Sequence, residues 1–94
     1  MVVFAVSYRY VPEPELIDAI RPSHRAWLTE QLAAGALLAS GPMVDTPTAL
    51  LLWRAEDIEA LAGLLDQDPF AVAGLIDERT IQQWNPVFGP WSNN

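Results

Sequence analysis

The chain has 94 residues, five arginines, no lysine and a formal net charge of −7, and 51% of its residues are hydrophobic. So few cations argue against nucleic acid or an anionic membrane surface as a partner. The absence of cysteine removes disulfides, thiolate nucleophiles and thiolate metal sites; with one histidine besides, neither a metal site nor a metal or redox cofactor is expected.

This length suits one small domain, 1–94, with a thin core. Four tryptophans are many for such a chain and point to apolar surface shared with a partner subunit or a ligand. Met1–Ala5 is apolar but has no basic segment before it, unlike a secretory leader. No run approaches the ~20 apolar residues of a membrane span. A soluble cytoplasmic protein is the expectation.

In chain order, Val2–Tyr10 reads as a strand of β-branched and aromatic residues. Leu16, Ile17 and Ile20 make a short helical lead-in. A main helix is placed from Pro22, a residue suited to the first helical position, to about Ala34, with Gly35 as its stop. Its apolar stripe is Trp27, Leu28 and Leu32. A second strand, Ala36–Met43, is interrupted by Gly41-Pro42, and Asp45-Thr46-Pro47 turns the chain. Thr48–Arg54 is a third strand, whose three successive leucines suggest burial on both faces. Glu56-Asp57 opens a second helix with Ile58, Leu61, Ala62 and Leu65 on its apolar side. Asp68-Pro69 opens a short third helix ending near Gly74, Leu75–Trp84 is the last strand, and residues 85–94 form an apolar tail. The order β-α-β-β-α-(α)-β is that of an α+β, ferredoxin-like split β-α-β domain with an antiparallel sheet and helices on one face. The uncovered face would present Val, Leu and Trp side chains, and a homodimer packing sheet on sheet is the simplest way to bury them.

His24 is the only histidine. Joined to a carboxylate it would form a general base with its own orienting group. With Pro22 as first helical residue, His24 lies in the first turn, where the helix dipole favours a neutral imidazole. Asp68 precedes Pro69, the ordinary pattern of an N-cap followed by N1. A carboxylate has lone pairs enough to cap with one oxygen and hold an imidazole with the other. Ser40 is placed to donate to a substrate oxygen and Gly41 to let a ligand approach the backbone, although a strand bulge explains the same residues. Arg9 and Arg21 are candidates for an anionic or phenolate oxygen; surface arginines are also common. Trp27, Trp53, Phe70 and Trp84 are ordinary core residues, and of these Phe70, close after Asp68, is best placed to stack on a ring.

Arg21-Pro22-Ser23-His24, Gly35, Ser40-Gly41-Pro42, Asp68-Pro69-Phe70 and Ala73-Gly74 together resemble the YCII-related family over Val2 to about Trp84. The resemblance implies a ferredoxin-like α+β fold dimerising into a barrel-like assembly, and a His–Asp pair facing a cleft, which maps onto His24 and Asp68. One branch of the family resembles a dehydrochlorinase of chlorinated hydroxyhydroquinone. That implies a cofactor-free lyase acting on a small aromatic substrate. A non-catalytic ligand-binding module and an oligomerising structural domain are the competing expectations. Two departures from the family pattern stand out: the short Met43–Thr48 connection, and the tail, which would cover the partner subunit or the pocket mouth.

Overall fold

The structure, a computed structural model, describes residues 1–92; the last two positions of the tail lie outside the described residues. Among the described residues the elements are β1 (Val2–Tyr10), α1 (Pro14–Ala33), β2 (Leu37–Pro42), β3 (Thr48–Ala55), α2 (Ile58–Leu65), α3 (Pro69–Val72) and β4 (Ile76–Trp84). The strands form an antiparallel sheet in the order β2-β3-β1-β4. This is the ferredoxin-like α+β arrangement. No helix of the described residues is long and apolar enough to cross a membrane.

Strand alternation sorts the side chains. Phe4, Val6 and Tyr8 of β1 are buried with Ala49, Leu51, Trp53 and Ala55 of β3, in one core with Leu61 and Leu65 of α2. Leu50 and Leu52 point the other way and are only half-buried. The three leucines therefore follow the two-residue period, and the expectation of full burial on both faces does not hold in this chain.

The helix boundary predicted at Pro22 is corrected. α1 is one helix of 20 residues that starts at Pro14, so Pro22 lies inside it. Proline there has no N–H for the Asp18 carbonyl, a defect that costs about 3 kcal/mol in a helix interior. The helix continues because packing holds both halves. Ile17 and Ile20 join Phe70 and Leu75 in a second apolar cluster, and Trp27 and Leu28 pack on the main core. At the far end Gly35, with φ of +83°, takes the left-handed conformation that closes the helix. The Ala36 and Gly35 N–H groups reach back to Gln31 and Leu32.

β2 is an edge strand, so Pro42 sits in it without breaking a ladder. The irregularity lies between Leu37 and Ala39, not at Gly41-Pro42 as the sequence suggested. On the open face of the sheet, Trp84 is half-exposed beside Val3 of β1, and Leu50 and Leu52 lie on β3. The tail begins with exposed Asn85, buries Pro86 and then presents exposed Val87 and Phe88.

Candidate active site

Asp68 is the N-cap of α3. Its Oδ1 accepts the Phe70 N–H at 2.9 Å, which fixes the carboxylate at the start of a helix of only one turn. The same oxygen lies 2.8 Å from His24 Nδ1, and Oδ2 accepts the Tyr8 hydroxyl at 3.1 Å. Asp68 is 0% exposed and His24 8%. Burying a carboxylate is costly unless donors surround it, and here three converge from α1, β1 and α3. An ionised carboxylate only accepts, so the proton of a neutral imidazole belongs on Nδ1 and the lone pair on Nε2.

Position along the chain explains the meeting. Tyr8 faces the helices because Phe4 and Val6 do. His24 is buried with Ile17, seven residues before it on the same side of α1. As the eleventh residue of α1, it is far from the helix start. The positive end of the helix dipole lies at Pro14 and not beside His24, contrary to the expectation from a start at Pro22. The tautomer is set by Asp68 instead.

Aromatic rings complete the wall. Phe70 stacks on the His24 imidazole, with centroids 4.0 Å apart and planes at 21°, and Tyr10 meets Phe70 edge-on at 5.3 Å. Phe70 is thus a support for the imidazole and is itself buried; a stacked substrate would not have that face to itself. Burial, and then the nearby Asp68 carboxylate, make both phenols weaker acids and push their pKa up. Tyr8 moves well above its ordinary value. Tyr10 is pushed up to about 12, with Arg21 opposing the shift.

His24 opens on a cavity of about 300 Å³, at the lower end of the range for small-molecule sites. One wall is a face of α1 (Arg21, His24, Arg25, Leu28), spaced as helix neighbours are. The facing wall is Ser40-Gly41-Pro42 of β2, and Ala49, Leu51, Tyr10 and Phe70 line the rest. Arg21, Ser40, Gly41 and Phe70 are therefore brought together with His24. Arg21 is already paired with Asp18. Arg9 is corrected as a site residue: it follows Tyr8, so alternation turns it to the opposite face, where it meets Glu78 at 3.6 Å. Trp27 and Trp53 pack on each other at 5.6 Å in and against the core. Among the described residues no group of three or more His, Cys, Asp or Glu side chains could hold a metal ion.

Sequence reasoning missed Tyr8, Tyr10 and Arg25. The alternation Phe4-Val6-Tyr8 and the spacing from Arg21 to Arg25 carried the signals, but neither shows which face meets Asp68.

A one-sided α+β sheet domain with a buried His–Asp pair at a small cavity defines the class. Within it, the YCII-related domain model matches residues 2–85, and the chain belongs to that family. It is similar in fold to 5-chloro-2-hydroxyhydroquinone dehydrochlorinase (TftG) from Burkholderia phenoliruptrix AC1100, solved with 2,5-dihydroxybenzoquinone: TM-score 0.78, 20% identity, covering 88% of this chain and 93% of that one. It is also similar to a NIPSNAP domain protein from Burkholderia xenovorans (TM-score 0.56, 18% identity, 96% and 99% covered). An antibiotic biosynthesis monooxygenase gives TM-score 0.57 and 18% identity, with 96% and 100% covered. At such identities these likenesses establish the shared fold. No curated protein sequence matches the chain.

Proposed function

We propose that the protein is a cofactor-free lyase in which His24, oriented by Asp68, acts as general base on a small hydroxylated aromatic ring, and that a chlorinated hydroquinone is its substrate type. The observation that carries this reading is the 2.8 Å contact between Asp68 Oδ1 and His24 Nδ1 at the wall of the cavity. That contact leaves Nε2 as the nitrogen free to take a proton. The fold shared with a dehydrochlorinase that was solved with a quinone supports the choice of substrate.

In the proposed reaction, one ring hydroxyl proton moves to the chlorine-bearing carbon, giving a chloroketone tautomer. Nε2 then removes a second hydroxyl proton. The O–H electron pair flows into the ring, and chloride leaves with the C–Cl pair. The net change is loss of HCl and formation of a quinone. General-base action supplies roughly 10²–10⁴-fold, and holding the ring in place supplies more. The same reading includes a homodimer that covers the open sheet face, supported by half-buried Leu50 and Leu52 and half-exposed Trp84.

The test is chloride release and quinone absorbance with a chlorinated trihydroxybenzene. Wild type turns over, and His24→Ala loses turnover while keeping its fold. Tight binding by wild type with no chloride released would make the protein a binding module instead.

A further inference from the structure

Two arginines at the cavity, Arg21 and Arg25, have no role in that chemistry. Arg9 pairs with Glu78, Arg21 with Asp18 and Arg79 with Asp66. Among the described residues Arg25 and Arg54 form no ion pair, and of these two only Arg25 lines the cavity. The chain holds 12 acidic residues against five arginines, yet none of those acids pairs with Arg25. A net charge of −7 also repels anions at long range, so an anionic ligand needs a local cation. Arg25 follows His24 directly and stands one helical turn beyond Arg21, with Ser40 on the facing wall.

We infer that Arg25 binds an oxyanion carried on the substrate's ring, a carboxylate or an ionised hydroxyl, while a neutral hydroxyl of the same ring meets His24. The planar guanidinium fork matches such an oxygen pair and forms charge-assisted bonds with it. Arg21, already held by Asp18, is the weaker partner. Arg25 is thus a specificity residue: it selects charged rings over uncharged ones of the same size. This inference rests on the reading of the His24 cavity as the substrate site.

Three probes at neutral pH test it, read by quenching of tryptophan fluorescence: hydroquinone, gentisate (hydroquinone with a carboxylate) and dihydroxybenzoquinone (with ionisable hydroxyls). Wild type should bind at least one charged ring more tightly than hydroquinone. Arg25→Gln should weaken that binding on the order of 10-fold or more and leave hydroquinone unchanged. Arg25→Lys should recover part of the loss. Loss for gentisate alone names a carboxylate, loss for dihydroxybenzoquinone alone an ionised hydroxyl, and loss for both a site for either. Equal weakening of all three probes by Arg25→Gln, no weakening, or no preference in wild type would overturn the inference. If the preference for charge is Arg25-dependent but His24→Ala keeps full turnover, the general-base reading falls and the anion site stands. If Arg25→Gln changes nothing and His24→Ala abolishes turnover, the reverse holds.

Discussion

The Tyr8 hydroxyl donates to Asp68 Oδ2 at 3.1 Å across 60 positions of sequence, with both residues buried. This bond leaves Oδ1 for the helix cap and the imidazole together. Tyr8 is therefore the back wall of the His–Asp pair, holding the carboxylate from the sheet side.

Tyr8→Phe removes one donor from a buried carboxylate and adds no bulk. A hydrogen bond to a charged group contributes about 1.5–3 kcal/mol, so the unfolding free energy read from denaturant melts should fall by that order. The rate should fall less than in any Asp68 variant, because Oδ1 still holds Nδ1. A Tyr8→Phe protein as stable as wild type would show that the bond contributes nothing.

Asp68→Asn separates the cap from the orienting role. Asparagine caps helices about as well as aspartate, so the Phe70 N–H keeps a partner and the fold should survive. The charge that favours Nδ1–H is lost, and the imidazole is free to place its proton on Nε2. Turnover should drop roughly 10²-fold or more. A variant that melts earlier but turns over normally would leave Asp68 as a cap alone.

Buried Tyr8 and half-buried Tyr10 should make stability fall at alkaline pH. In the unfolded chain Tyr10 titrates at its ordinary value of 10, and in the fold it is pushed up to about 12. Above pH 10 the unfolded state therefore loses a proton that the folded state keeps, so stability is full below pH 10 and declines as pH rises toward 12. Tyr8 is shifted the same way and adds to the decline. Denaturant melts across this window should show it, and Tyr10→Phe should flatten the slope. A wild-type midpoint independent of pH in this range would contradict the burial of these hydroxyls.

Pro22→Ala restores an N–H facing the Asp18 carbonyl. The ring is exposed, so little packing is lost, and the protein should gain up to about 3 kcal/mol. A lower midpoint in the melting curve would mean that the proline shape is itself required for α1 to dock.

Much of the fold was legible because its signals are local. The edges of β1, the Gly35 stop and the Asp68-Pro69 start are each written in a few adjacent residues. Pro22 misled because a local rule lost to packing: Ile17 on one side and Trp27 on the other hold the helix through it. His24, Asp68, Arg21, Ser40, Gly41 and Phe70 were visible as residue types. Their separation into cavity wall and support was not, since it depends on which face of β1 meets α3. That choice of face puts Tyr8 behind Asp68 and sends Arg9 away. Arg25 was hidden for a different reason: its lack of an acidic partner exists only once the carboxylates have found their places.

In the proposed mechanism Asp68 holds the proton of the imidazole on Nδ1 and leaves Nε2 as the base. With one histidine in the chain, ¹⁵N NMR of the ring nitrogens in histidine-labelled protein, at a pH where the ring is neutral, reads this without ambiguity. The expected spectrum shows a protonated Nδ1 and an unprotonated Nε2, and loss of that preference in Asp68→Asn. A wild-type ring with its proton on Nε2 would rule out Nε2 as the base, because that nitrogen would then have no lone pair to offer.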